Sequence, residues 1–163
     1  MEKLIIIING TGGSGKDTFV EFCSKYTKVM NFSSIDKVKE IAKIIGWNGG
    51  KTDKDRKFLS DLKKLTTEYN DMAFNSIKDC VVRFDNSDTN ILFIHIREPE
   101  EIKRAKDAFS AKTLLIKRIG FENISTNYSD ANVDNYNYDY IIENTTLEEL
   151  DNNAKNFVKK LIK

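Results

Sequence analysis

The sequence predicts an α/β protein: a five-stranded parallel sheet between two layers of helices, a three-layer α/β/α sandwich carrying a helical insert and a short lid. Three observations predict it. Short runs dominated by β-branched residues alternate with stretches whose apolar residues recur at spacings of three and four. The first run, residues 4–8, is apolar throughout rather than alternating, as in a strand buried on both faces of a helix-covered parallel sheet. A glycine-rich turn joins the first strand run to the first helical stretch.

Residues 4–8 form the first run and the first strand. After the glycines, residues 17–26 carry Phe19, Val20 and Phe22 in helical register, and residues 29–32 give a short second strand. Ser34 and Asp36, with Ile35, Val38, Ile41, Ala42 and Ile45, describe a helix that Gly46 stops; residues 47–52 are then a loop. Residues 53–69 and 72–84 read as two further helices, with Leu59, Leu62 and Leu65 on one apolar stripe and Ile77, Val81 and Val82 on another. Residues 91–96 are the third strand. Pro99 suits the first turn of the next helix, whose face continues through Ile102, Ala105 and Phe109. Residues 113–116 are a fourth strand. Residues 117–136 are rich in Asn, Ser and Asp without a sustained period, which predicts a mobile loop, with a short helix within it left open, and residues 138–142 make the fifth strand. Thr146 followed by Glu149 is a capping-box pattern, opening a helix with Leu147, Leu150, Ala154, Phe157 and Leu161 on one face.

With 163 residues, 40% hydrophobic, the chain has enough apolar surface for one core, and residues 1–163 read as a single domain. The 26 Lys and Arg nearly cancel the 25 Asp and Glu, so no global basic field favours a nucleic-acid polymer or an anionic membrane. A small-molecule partner is the expectation, with monomer and homodimer both open. Residues 4–8 fall far short of the roughly 20 apolar residues of a membrane span and run straight into glycines, so they read as a strand. Cys23 and Cys80 lack a CxxC spacing, which argues against a disulfide framework or a structural zinc and fits a reducing cytoplasm.

The chemistry concentrates in Gly10-Thr11-Gly12-Gly13-Ser14-Gly15-Lys16, the spacing GxxxxGK between a strand and a helix. Glycines let successive backbone N–H groups turn inward onto an anion, the following helix adds its positive N-terminal end, and Lys16 adds a full charge. This is a P-loop, and it predicts that ATP phosphates are gripped by Gly10, Thr11, Gly12, Gly13, Ser14, Gly15, Lys16, Asp17 and Thr18. A structural turn with no ligand would need glycines but not the lysine at this place. Asp17 stands where Ser or Thr usually holds Mg²⁺. It reads either as a ligand of Mg²⁺ or of its water, or as an acidic residue complementing the helix dipole. Thr18 is open to an α-phosphate contact or a local backbone bond. The third strand ends in His95 rather than an aspartate; His95 reads as a hydrogen-bonded core residue or as a group facing the metal-bound water or the acceptor.

Arginines suit bidentate phosphate recognition, and three stand out. Arg97 follows the third strand at the loop's edge of the sheet, with ion pairing to Glu98 or Glu101 as the alternative. Arg56 opens an insert helix, where it either holds an acceptor phosphate or is an exposed helix charge. Arg118 begins the long loop, from which a closing lid would bring charge to a transferring phosphoryl group. Arg83 and Arg104 read as solvated helix positions. Asp36 reads as an acceptor-orienting group or a helix cap, and Trp47 and Tyr69 as base-stacking or core aromatics.

Residues 10–18 with their Gly-Lys-Asp-Thr ending, Ile94-His95-Ile96-Arg97-Glu98-Pro99-Glu100-Glu101-Ile102, and Tyr138-Asp139-Tyr140-Ile141-Ile142-Glu143-Asn144 together resemble the P-loop nucleoside-monophosphate-kinase-like family. The nearest resemblance is to bacteriophage-type deoxynucleoside monophosphate kinases, with dephospho-coenzyme A kinase and phosphomevalonate kinase as looser relatives. It spans most of the chain in order, though only the first motif is specific. The resemblance implies a P-loop NTPase fold, the cofactors ATP and Mg²⁺, and transfer to a small phosphorylated acceptor, a (deoxy)nucleoside monophosphate above others. It implies Lys16, Arg97 and Arg118 as catalytic residues, Arg97 and Arg56 on the acceptor, beside the Asp36 read above as a candidate there, and Asn144 and Thr145 near the adenine. It makes residues of about 34–85 the acceptor-binding insert and about 117–136 the lid. The phage-type enzymes tend to carry aspartate where this chain has His95. An ATP-binding accessory protein without turnover, and a kinase for another small metabolite, are the competing expectations.

Overall fold

A computed structural model describes residues 3–120 and 132–162. β1 (Leu4–Asn9) leads through the glycine loop into α1 (Lys16–Ser24), and β2 (Val29–Ser33) follows. The insert is α2 (Asp36–Ile44), α3 (Asp53–Asn70) and α4 (Met72–Asp85). The chain then returns through β3 (Ile91–His95), α5 (Pro99–Phe109), β4 (Lys112–Arg118), a 3-10 turn (Val133–Asn135), β5 (Tyr140–Asn144) and α6 (Leu147–Leu161).

The five strands are all parallel, in the order β2-β3-β1-β4-β5. β1 is central, and its Ile6, Ile7 and Ile8 have no exposed surface. Alternate strand residues feed two cores. Ile6, Ile8, Ile91, Phe93, Leu114 and Ile116 meet α1 and α6, where Phe19 stands edge-on to Phe93 and Phe157. Ile7, Leu92, Ile94 and Leu115 face α4 and α5 through Ile77, Phe84, Ile102 and Ala105. The chain leaves β1 toward β2 and β3 on one side and later crosses to β4 on the other, so the loop after β1 lies at the switch point, where open α/β sheets bind ligands.

Several boundaries and faces differ from expectation. β4 runs on through Lys117 and Arg118, which pair with Glu143 and Asn144, so these two residues end a strand rather than begin a loop. β5 starts at Tyr140, because the two preceding side chains are engaged elsewhere. The Asp139 carboxylate accepts from the Thr113 N–H (2.8 Å) and hydroxyl (2.9 Å) and from Lys106, and the Tyr138 hydroxyl donates to the Val133 carbonyl at 2.8 Å. The lid expected at residues 117–136 lies partly outside the described residues. α3 forms as expected behind a reciprocal capping box of Thr52 and Asp55, yet none of its residues is buried and Leu65 is 64% exposed. Ile45 and Val82 also face outward, and so does Tyr69, against its reading as core. Arg104 is not simply solvated. Its guanidinium grips Asp71 bidentately at 2.6 and 3.0 Å and lies over the Phe74 ring, fastening the start of α4 to α5. No described helix is long and apolar enough to cross a membrane.

Candidate functional site: the glycine loop and its surroundings

The loop leads into the N-terminus of α1, and four of its carbonyls accept from side chains. Lys16 Nζ donates to the carbonyls of Gly10 (2.6 Å) and Thr11 (2.9 Å). Arg118 Nη1 donates to the Gly13 carbonyl at 3.2 Å, and Asn144 Nδ2 to the Ser14 carbonyl at 2.9 Å. Arg118 and Asn144 are opposite one another in the β4–β5 ladder, so two adjacent strand ends brace two adjacent loop carbonyls. Among the described residues, the N–H groups of Gly12, Gly13 and Gly15 have no protein acceptor. Carbonyls satisfied from outside and N–H groups left over are the electrostatic pattern of an anion nest.

Two glycines are required by contact. A Cβ at Gly10 would stand 2.5 Å from both the Ile116 carbonyl and Ser14 Oγ, and one at Gly15 would stand 2.5 Å from Asn144 Nδ2. At Gly13 nothing lies within 4 Å of a Cβ position, so that side of the loop is open. Ser14 Oγ is buried without a protein partner, a polar atom for which a buried site ordinarily supplies a water or a ligand. The open glycine edge, spare N–H groups and orphan hydroxyl fit a polyphosphate.

The entrance to the loop is fixed by Asn9, which is 1% exposed. Its Oδ1 accepts from the Gly10 N–H at 2.9 Å, while Nδ2 donates to the Tyr138 hydroxyl (2.9 Å) and the Arg97 carbonyl (3.1 Å). One buried amide thus ties the loop to the turn after β3 and to the segment leading into β5. Nothing in the sequence pattern marks Asn9 beyond its place after an apolar strand. Burial pushes the Tyr138 hydroxyl pKa up to about 12, so it remains a neutral donor.

The other expected site residues divide into two groups. Arg97 is exposed at the loop's edge of the sheet, next to Asn9's anchor on its carbonyl. Asp17 projects into solvent in the first turn of α1, facing His95. His95 is held by Asn31 of β2, with Nε2 to Oδ1 at 2.8 Å, and burial pushes the imidazole below its ordinary pKa against the upward pull of Asp17. Asp36 is occupied locally, accepting from the Ser33 N–H at 2.9 Å, and Arg56 is exposed in the first turn of α3. Trp47 donates to the Gly50 carbonyl at 3.2 Å within its own loop. Asn144, expected near an adenine, donates its amide nitrogen to the Ser14 carbonyl of the loop.

No protein-family model and no curated protein matches this chain. Solved structures do match its fold. A crystal structure of TT1252 from Thermus thermophilus is 18% identical over 99% of each chain, with a TM-score of 0.52. A sugar kinase from Janibacter sp. HTCC2649 is 15% identical over 98% of this chain and 95% of its own, at 0.51. Thymidylate kinase from Ehrlichia chaffeensis is 11% identical over 98% and 99%, also at 0.51. The chain therefore has the P-loop kinase fold, a three-layer α/β/α sandwich around a five-stranded parallel sheet. At these identities the likeness concerns the fold, and the substrate has to be argued from the site.

Proposed function

We propose that this chain is an ATP-dependent phosphotransferase acting on a small phosphorylated acceptor, with a (deoxy)nucleoside monophosphate as the leading candidate. The observation that carries this reading is the braced loop: its carbonyls are taken by Lys16, Arg118 and Asn144 while its N–H groups and the Ser14 hydroxyl are left over. Phosphoryl transfer asks mainly for positioning and charge neutralisation, and this arrangement supplies both.

In this reading the nucleotide's phosphates bind in residues 10–18, and Lys16 exchanges the Gly10 and Thr11 carbonyls for phosphate oxygens. Arg118, already on the loop at Gly13, supplies charge beside the transferring group. Arg97, exposed on the same edge, and Arg56 in the insert hold the acceptor phosphate. Asn144 keeps the Ser14 peptide turned so that its N–H side faces the ligand, which makes it a positioning residue. Asp17 holds the divalent cation that such transfers use, and the cation's chemistry is to neutralise charge on the phosphates. Residues 1–163 act as one domain, with the insert of about 34–85 on the acceptor side and residues of about 117–136 as the lid.

ADP release measured against a panel of ribo- and deoxynucleoside monophosphates tests this. Turnover with a panel member, abolished in Lys16→Ala, supports the assignment; full activity in that variant contradicts it. A second reading, an ATP-binding accessory protein without turnover, is favoured by one observation: the β3 tip offers His95 rather than a carboxylate. Tight ATP binding with no acceptor-stimulated release would select it.

A further inference from the structure

Beside the loop, at the C-terminal end of the sheet, Asp17 of the motif meets two side chains from outside it, Asn31 and His95. In the β2–β3 ladder Asn31 pairs with Phe93 and Ser33 with His95, so Asn31 and His95 project from the same face of the sheet, the face covered by α1. That helix carries Asp17 in its first turn, facing His95. His95 Nε2 is 2.8 Å from Asn31 Oδ1 and 3.9 Å from Asp17 Oδ1. The imidazole is sheltered, at 15% exposure, whereas the Asp17 carboxylate is 92% exposed, so the cluster is closed beneath and open above.

We propose that His95 Nε2, Asp17 Oδ1 and Asn31 Oδ1 form a divalent-cation site whose imidazole nitrogen makes it favour Mn²⁺ and later first-row ions over Mg²⁺. Two donors that each lie about 2.1 Å from one ion stand less than about 4.2 Å apart, and both measured separations satisfy this limit. Among the described residues no three His, Cys, Asp or Glu side chains converge, so the third donor here is an amide oxygen. Mg²⁺ holds strongly to oxygen and water, while imidazole suits transition ions along the Irving–Williams series. The exposed side leaves coordination positions for water and for phosphate oxygens.

Ligation requires a change that the residues permit. In the structure the imidazole and amide share one hydrogen bond; with an ion between them, the ring proton resides on Nδ1 and Nε2 turns its lone pair to the metal. Two acidic groups, Asp17 and Asp36, and two basic ones, Lys16 and Arg97, act on the ring. Phosphates bound at Lys16 would offset its positive charge. The ion's use in phosphoryl transfer rests on the phosphotransferase reading above, but its binding by these three residues does not.

The test is Mn²⁺ alone titrated into the purified protein, followed by electron paramagnetic resonance, with spin-echo detection of nitrogen coupling to the bound ion. The expected result is one bound Mn²⁺ per chain with nitrogen modulation, poorly displaced by excess Mg²⁺. His95→Ala should lose the modulation and about tenfold or more in affinity, and the exposed Asn31→Ala should weaken binding without removing the modulation. Circular dichroism confirms that each variant is folded. Mn²⁺ binding unchanged in His95→Ala, bound Mn²⁺ without nitrogen coupling, or no binding up to millimolar Mn²⁺ would each overturn the proposal. ATP affinity measured separately in excess Mg²⁺ separates the two ideas: its absence defeats the phosphotransferase reading and leaves the ion site standing, while ATP binding without a Mn²⁺ site does the reverse.

Discussion

Alanine at Gly15 should destabilise the fold distinctly more than alanine at Gly13, although both replace a glycine of the same loop. Both backbones are left-handed, with φ of +97° at Gly15 and +73° at Gly13, and an L side chain there costs about 1–2 kcal/mol. At Gly13 that is the whole effect, because the added Cβ meets nothing within 4 Å. At Gly15 the Cβ falls 2.5 Å from Asn144 Nδ2. The Asn144 amide must therefore swing away, breaking its 2.9 Å bond to the Ser14 carbonyl and leaving that acceptor short of a partner, a further cost of about 1–3 kcal/mol. The totals are about 1–2 kcal/mol for Gly13→Ala and about 2–5 kcal/mol for Gly15→Ala. Urea unfolding with linear extrapolation measures both. In an Asn144→Ala background the clash is gone, and the cost of Gly15→Ala should fall to that of Gly13→Ala. Equal costs in the wild-type background, or a Gly15→Ala cost that ignores Asn144, would refute the bracing of the loop by β5.

Asp139→Asn should destabilise the protein at neutral pH by about 1–3 kcal/mol, since it removes the charge that Lys106 and Thr113 hold. Partial burial pushes the Asp139 carboxyl up, but Lys106 and the Thr113 N–H and hydroxyl outweigh it and hold it below its ordinary value. A depressed folded pKa gives stability that is present above the unfolded value of about 3.9 and lost as pH falls through the folded one. The gap between wild type and Asp139→Asn should therefore close in acid titrations below about pH 4; a gap that widens there would contradict the assignment. Burial also pushes the Cys23 thiol to about 12 and raises Cys80, so a thiol reagent at pH 8 should label neither until the chain is unfolded. Arg118→Ala should leave urea stability nearly unchanged, because the residue is exposed, yet lower kcat by about 100-fold or more if its guanidinium serves the transferring group. Loss of stability with unchanged kcat would make it a structural brace.

The parts of this fold that were legible in the sequence are those fixed by local chemistry. Residues 4–8 carry no polar side chain and form the strand that buries Ile6, Ile7 and Ile8, GxxxxGK must turn where its glycines are, and Thr146 caps α6 by accepting from the Glu149 N–H. What escaped depends on partners far away in the chain. The end of β4 is decided by Glu143 and Asn144 across the ladder, and the start of β5 by Thr113 and Lys106. The leucine periodicity announced α3 correctly but not that Leu65 would face water. The site follows the same division. The glycine loop reads directly, whereas the Asn9 anchor, the Asn144 brace and the Asn31–His95 pair join residues up to 130 positions apart and leave no periodic or motif signal. Asparagine serves in all three because a short amide both donates and accepts, and such a role is invisible until the backbone is placed.

The central claim is that the loop after β1 binds nucleotide through its phosphates, and a calorimetric comparison of ATP with adenosine tests it most directly. The account predicts that ATP binds to the wild-type protein with an affinity at least 100-fold above that of adenosine, a difference of about 2.7 kcal/mol or more supplied by the loop's N–H groups and Lys16. Equal affinities for ATP and adenosine, or no binding of ATP, would contradict it.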